Sequence, residues 1–134
     1  MTTLNELAFN KEITLLASTL RTAATYNTDE QTNDGHRGIA VYVDITAEDG
    51  AMTLDVKLQT KDHIGGDWAD IPGAAIAQQS AVTSAPVVLT LYPGIASTAN
   101  VSVSDVLPRR WRAVATVAGA ATSMTFSVGA VLLR

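Results

Sequence analysis

The stretch from Arg37 to Asp62 constrains the fold of this chain more than any other. It reads RGIAVYVDITA, then EDG, then AMTLDVKLQTKD. Ile39, Val41, Val43 and Ile45 alternate with Ala40, Tyr42, Asp44 and Thr46, and Leu54, Val56 and Leu58 alternate with Asp55, Lys57 and Gln59. Period-two alternation of this kind puts apolar side chains on one face of a half-buried strand and polar ones on the other. Between the runs, Glu48-Asp49-Gly50 supplies residues that tolerate the positive φ of a tight reversal. The stretch therefore predicts a long antiparallel hairpin whose apolar face the rest of the chain covers.

The remaining segments read as short strands separated by turn chemistry. Ile13 to Tyr26 is rich in β-branched residues and predicts a first strand, bent near Ser18. Asn27 to His36 collects the polar and glycine residues of a loop. After Gly65-Gly66, Asp67 to Ile71 predicts a short strand stopped by Pro72-Gly73 and resumed over Ala74 to Ala77, before a polar loop from Gln78 to Ala85. Pro86 to Tyr92 places Val87, Leu89 and Leu91 inward and ends at Pro93-Gly94; Ile95 to Asp105 reads as a surface loop. Pro108 to Ala118 carries Trp111, Ala113, Ala115 and Val117 on one face, Gly119 to Thr122 turns the chain, and Met124, Phe126, Val128, Ala130 and Leu132 form the inward face of the last strand. Seven to eight strands with no long helical period predict an all-β fold, an antiparallel β-sandwich of Greek-key or jelly-roll type. A closed eight-stranded barrel is the competing architecture.

At 134 residues the chain predicts one domain from 13 to 134, preceded by an N-terminal arm over residues 1–12. A chain of this length buries roughly two-thirds of its unfolded surface. Only 16% of its residues are charged while 47% are hydrophobic, which excludes disorder as the main state and leaves a surface of Ser, Thr, Ala and Gln suited to protein contact. A net charge of -4 argues against a nucleic-acid partner, whose phosphates need an excess of Lys and Arg. With no cysteine there is no disulfide framework, thiolate metal site or thiol catalysis. No basic region followed by an apolar run opens the chain, and no run reaches eighteen apolar residues, so the expectation is synthesis without export and no membrane partner.

Catalytic chemistry has little to work with. No G-x-S-x-G occurs, and the two histidines, His36 beside Arg37 and His63 beside Asp62, read as loop residues rather than bases. Asp62, Asp67 and Asp70 cluster around one turn, but their spacing matches no calcium loop. The expectation is no enzyme, no cofactor and no metal. Candidate interface residues are of three kinds. Leu4, Leu7 and Phe9 are the apolar residues of the N-terminal arm, a tether onto a neighbouring subunit. Arg110 and Arg112 share the strand face opposite Trp111, a small basic stripe. Trp68 follows the Gly-Gly break as an anchor for an interface, or, with Tyr92, as a platform for a sugar ring.

The runs RGIAVYVDITA, TLDVKLQTKD, DWADIPGAAIA, LTLYPG, VLPRRWRAVATVAG and SMTFSVGAVLL resemble, in order, a group of small virion structural proteins of tailed bacteriophages. The similarity runs from Arg37 to Leu133 and is carried most by LTLYPG and by the LPRRWR strand feeding a glycine turn. The resemblance implies a β-sandwich made in the bacterial cytoplasm and assembled on the particle. The implied role is capsid decoration, or cement: many copies, often trimers, bind the outside of the head and clamp major capsid protein subunits. A neck, tail or head-fibre component is the alternative within that class, and a carbohydrate-binding module is the alternative outside it.

Overall fold

The structure, a computed structural model, describes residues 10–120 and 123–134. Its strands are β1 (Lys11–Arg21), β2 (Ala24–Asn27), β3 (Gln31–Thr32), β4 (Gly38–Glu48), β5 (Met52–Lys61), β6 (Trp68–Ala75), β7 (Val87–Leu91), β8 (Ser102–Val103), β9 (Arg110–Gly119) and β10 (Met124–Leu133). One sheet has the order β1-β10-β4-β7-β8; the other has the order β2-β9-β5-β6, with β3 also paired to β9. Without the two-residue strands β3 and β8, the orders become 1-10-4-7 and 2-9-5-6, the interleaving of two Greek keys in a jelly roll. The all-β sandwich expected from the alternation is the fold observed, with ten strands in place of seven to eight. The two additional ones lie in Asn27 to His36 and Ile95 to Asp105, both read as loops, because a two-residue strand has no period to detect.

The inward faces meet in one core. From the first sheet come Ile39, Val41, Val43, Ile45, Leu89, Leu91 and the whole series Met124, Phe126, Val128, Ala130 and Leu132; from the second come Leu54, Val56, Leu58, Trp111, Ala113, Ala115 and Val117. Trp111 is fully buried, and its indole N–H meets no acceptor, so it contributes through volume. Ala113 and Ala115 keep β9 thin beside it.

The Arg37 to Asp62 stretch is not a hairpin. β4 pairs with β10 and β7, and β5 pairs with β9 and β6. The chain crosses from one sheet to the other through Asp49-Gly50, with Gly50 at φ 87°, so the apolar faces of β4 and β5 oppose each other across the core. Alternation specifies which side chains point inward but not whether two strands lie side by side or face to face. The chain changes sheets again between β9, which ends at Gly119, and β10. There Gly119, at φ 136°, lies against the backbone of Ala51 and Met52, and a β-carbon at this position would overlap the Ala51 carbonyl.

Two further corrections concern strand ends. Ile13 to Tyr26 is two strands, β1 and β2, that change sheets at Thr22-Ala23; the register irregularities of β1 fall between Thr14 and Leu16 and between Leu16 and Thr19. Pro72-Gly73 lies inside β6 instead of stopping it. Because β6 is a sheet edge, the missing proline N–H leaves no ladder bond unmade, and the four residues between Asp70 and Ala75 bulge out of register.

Arg21 holds the crossing from β1 to β2. It is buried, and its guanidinium donates to the carbonyls of Phe126 (2.7 Å), Ala17 (2.7 Å) and Thr19 (3.3 Å). Its Cζ lies 4.6 Å from the centroid of the Phe126 ring and 5.7 Å from that of Tyr26. Burial lowers its pKa from the ordinary arginine value.

Candidate interaction surface

Pleating sends Lys57, Gln59 and Lys61 of β5 outward while Leu54, Val56 and Leu58 point to the core, and sends Arg110 and Arg112 of β9 outward while Trp111 points in. The register then aligns them. Gln59 lies opposite Arg112 on one side and Asp70 on the other, and Lys61 lies opposite Trp68.

The outer face of this sheet is a continuous polar network. Arg112 Nε donates to Gln59 Oε1 at 2.9 Å, and Gln59 Nε2 donates to Asp70 Oδ1 at 2.8 Å. The Lys57 ammonium lies 3.0 Å from both Asp70 oxygens. Lys61 donates to Glu30 Oε1 at 2.7 Å, and Arg110 Nε stands 3.9 Å from the other Glu30 oxygen. Trp68 lies among these groups, with Arg112 Cζ 4.3 Å and Lys61 Nζ 5.6 Å from its ring centroid. The hydrogen bonds from Gln59 and Lys57 hold Asp70 below the usual carboxylate range, and the bond from Lys61 does the same for Glu30. Both carboxylates are exposed, so water screens these pairs and they order the surface more than they stabilise it.

The predicted site residues thus divide. Trp68 and Arg112 are brought into contact, and Arg110 joins the same face through Glu30. Leu4, Leu7 and Phe9 lie outside the described residues. β1 begins at Lys11 rather than at Ile13, where the first strand was expected. Glu30, Gln59, Lys61 and Asp70 are participants the sequence reading missed; the outward positions of Gln59 and Lys61 were legible from alternation, but their neighbours depend on register, and Glu30 lies in a stretch read as a loop.

Tyr92 donates its hydroxyl to the Arg134 carbonyl at 2.7 Å, far from the Trp68 network in chain terms, and the cation over Trp68 occupies ring surface that a sugar would need. Asp62 accepts from the backbone N–H groups of Ile64 (3.0 Å) and Gly65 (3.1 Å), which lower its pKa, whereas Asp70 turns to Lys57 and Gln59. Among the described residues no group of three His, Asp or Glu side chains converges to hold a metal. His36 is tied through its backbone to Asn33, and His63 is exposed.

The opposite face of the sandwich has another character. One row across it reads Thr14, Gly129, Tyr42, Val88, and the next reads Glu12, Val131, Ala40, Thr90. Only Glu12, on the edge strand, is charged in these rows. Gly129 leaves a shallow depression of about 400 Å³ bounded by Thr14, Tyr42 and Val131. A β-carbon there would meet only the Ile13 carbonyl, at 3.8 Å, so packing does not demand the glycine.

No protein-family model matches this sequence. No curated protein matches it either. The fold does match solved structures. A chain in the structure of infectious bursal disease virus Gt strain superposes with a TM-score of 0.54 at 11% identity, covering 94% of this chain and 33% of that one. A chain in the Gx strain structure gives 0.53 at 10% identity, covering 93% and 32%. This chain thus spans about a third of the length of the virus chains it matches. The shared property is the β-sandwich itself.

Proposed function

We propose that this chain is a non-enzymatic structural protein of a tailed-bacteriophage particle, a capsid decoration protein that binds major capsid protein on the outer head surface. The observation that carries the particle role is the jelly-roll sandwich, which matches chains of a virus structure over nearly its whole length. Jelly rolls recur among viral capsid domains. The bacteriophage assignment rests on the strand series from RGIAVYVDITA to SMTFSVGAVLL described above.

Decoration is favoured by the surface. Across its middle the outer face of the first sheet carries Tyr42, Val88, Val131 and threonines, with Glu12 at the edge and Asp44 further along β4, a stretch that packs against another protein at little desolvation cost. In this reading the copies associate as an oligomer, a trimer by analogy, and repeated weak contacts add over a symmetric shell. The test is mass-spectrometric quantification of this protein against the major capsid protein in purified particles. A ratio near one, or a simple fraction such as one third, is expected. A handful of copies would move the protein to the neck, tail or a head fibre, and absence from particles would overturn the reading.

A further inference from the structure

Along β5, β6 and β9 the outer face of the second sheet carries the cations Lys57, Lys61, Arg110 and Arg112 and the carboxylates Asp55 and Asp70, with Glu30 reaching in from the loop before β3. These charges do not all find one another. Lys57 stands on Asp70 at 3.0 Å, Lys61 and Arg110 share Glu30 at 2.7 and 3.9 Å, and Asp55 accepts from the Gln78 amide at 2.9 Å. Arg112 is the cation left over. Its Nε donates to the neutral Gln59 oxygen at 2.9 Å, and among the described residues no carboxylate forms an ion pair with it. Gln59 and Lys57 lower the pKa of Asp70, and Lys61 and Arg110 lower that of Glu30, with no contribution from Arg112.

We propose that Arg112, stacked on Trp68, receives a single carboxylate, the Asp or Glu side chain of a partner protein packed against this sheet. Both terminal nitrogens of Arg112 lack a partner among the described residues. Neither is buried, because the Trp111 indole nitrogen is the one buried, unpartnered side-chain polar atom found there. The guanidinium is nonetheless held at two points. Its Cζ lies 4.3 Å from the Trp68 ring centroid, and its Nε bond to Gln59 fixes its rotation. What remains open is the end of the fork, two adjacent N–H donors in one plane, which matches the two oxygens of a carboxylate.

The surroundings select the ligand. Gln59 is engaged at both ends, by Arg112 and on Asp70, and Lys57, Lys61 and Arg110 already carry carboxylates of this chain. The face therefore offers one unclaimed cation and no second one beside it. An acidic sugar needs further polar groups for its hydroxyls, and a polyphosphate needs several free cations. An acidic side chain needs only the fork and a surface to lie on. Because the ring and the network around it already order Arg112, the fork gives up little freedom on binding. Tryptophan and arginine are also the residue types that dominate interface energetics. The site is independent of the particle role, and no particle is needed to test it.

The test is nitrogen–proton correlation spectroscopy of the arginine side chains and backbone amides of the full chain, titrated at constant ionic strength with acetyl-Glu-amide. The Arg112 Nε–H signal should shift saturably, at a concentration roughly tenfold below that needed for the exposed Arg37 and Arg109, as a pre-ordered fork predicts. Acetyl-Gln-amide should leave it in place. Followed through the amides of residues 59, 68 and 112, binding should weaken several-fold in Arg112→Lys, which keeps the charge and loses the fork. It should weaken likewise in Trp68→Leu, which keeps Arg112 and removes the ring, and return in Trp68→Tyr, each variant being checked for an unchanged spectrum elsewhere. Equal response of Arg112, Arg37 and Arg109, equal binding of the Gln compound, or undiminished binding in Arg112→Lys or Trp68→Leu would overturn the proposal. So would glucuronate that binds more tightly than acetyl-Glu-amide, which would make this a site for an acidic sugar.

Discussion

Arg21 is a cation in an apolar setting, and among the described residues no carboxylate lies against it. Three backbone carbonyls and two aromatic rings replace the water it leaves. Hydrogen bonds to a charged group contribute about 1.5–3 kcal/mol where a neutral one gives about half that. Arg21→Met keeps much of the volume and removes the donors, so a loss of about 2–3 kcal/mol is expected in urea unfolding. Two glycines give a paired test at the same scale. Gly119→Ala forces a β-carbon into the Ala51 carbonyl at a left-handed φ and should cost about 2–3 kcal/mol. Gly129→Ala, in an open site on a regular strand, should instead stabilise by about 0.5 kcal/mol, because the unfolded chain loses freedom. Equal effects from the two would show that the crossing at Gly119 is not under steric constraint.

The elements show where the alternation of this sequence was sufficient and where it was not. Apart from the fully buried Met52, the inward positions of β4, β5, β9 and β10 were legible, down to Trp111 and the five residues from Met124 to Leu132. The pairing of β4 with β5 was misread because a face-to-face crossing and a hairpin demand the same alternation and the same Gly50. The Trp68–Arg112 contact was half legible: both residues stood out, but only the register of β5 with β6 and β9 brings them together. Three carboxylates, one before β3, one in the β5–β6 turn and one on β6, make the stability acid-sensitive. Folding depresses the pKa values of Asp62, Asp70 and Glu30, so their stabilisation is complete above the ordinary carboxylate range and is lost as pH falls through the folded values, below about pH 4. The urea midpoint should fall between pH 5 and pH 2.5, and Asp62→Asn should flatten part of that fall. A midpoint independent of pH over this range would contradict the assignment.

For the whole molecule, the contrast between its two broad faces is the property with the most functional content. The Trp68 face is occupied by its own ion pairs and hydrogen bonds, while the middle of the other face presents Tyr42, Val88 and threonines to solvent. If copies attach to a shell through the latter, Tyr42→Lys should leave the unfolding midpoint within about 0.5 kcal/mol of the parent, as expected of a surface change, yet lower occupancy on particles several-fold. Lys57→Gln on the opposite face should change neither stability nor occupancy. Loss of occupancy in both variants alike would point to attachment through the sandwich ends.

The strand order also governs when this protein can fold. β10 lies between β1 and β4, so the first sheet has a gap in its middle until the last strand has left the ribosome. The same holds across the core, where the β10 side chains from Met124 to Leu132 fill the space facing β5 and β9. A nascent chain lacking β10 has the unpaired inner edges of β1 and β4 exposed at once, the kind of edge on which other chains add. Folding of the sandwich therefore waits for β10 and, with pairing dominated by distant segments, belongs to the slow millisecond-to-second regime of all-β domains.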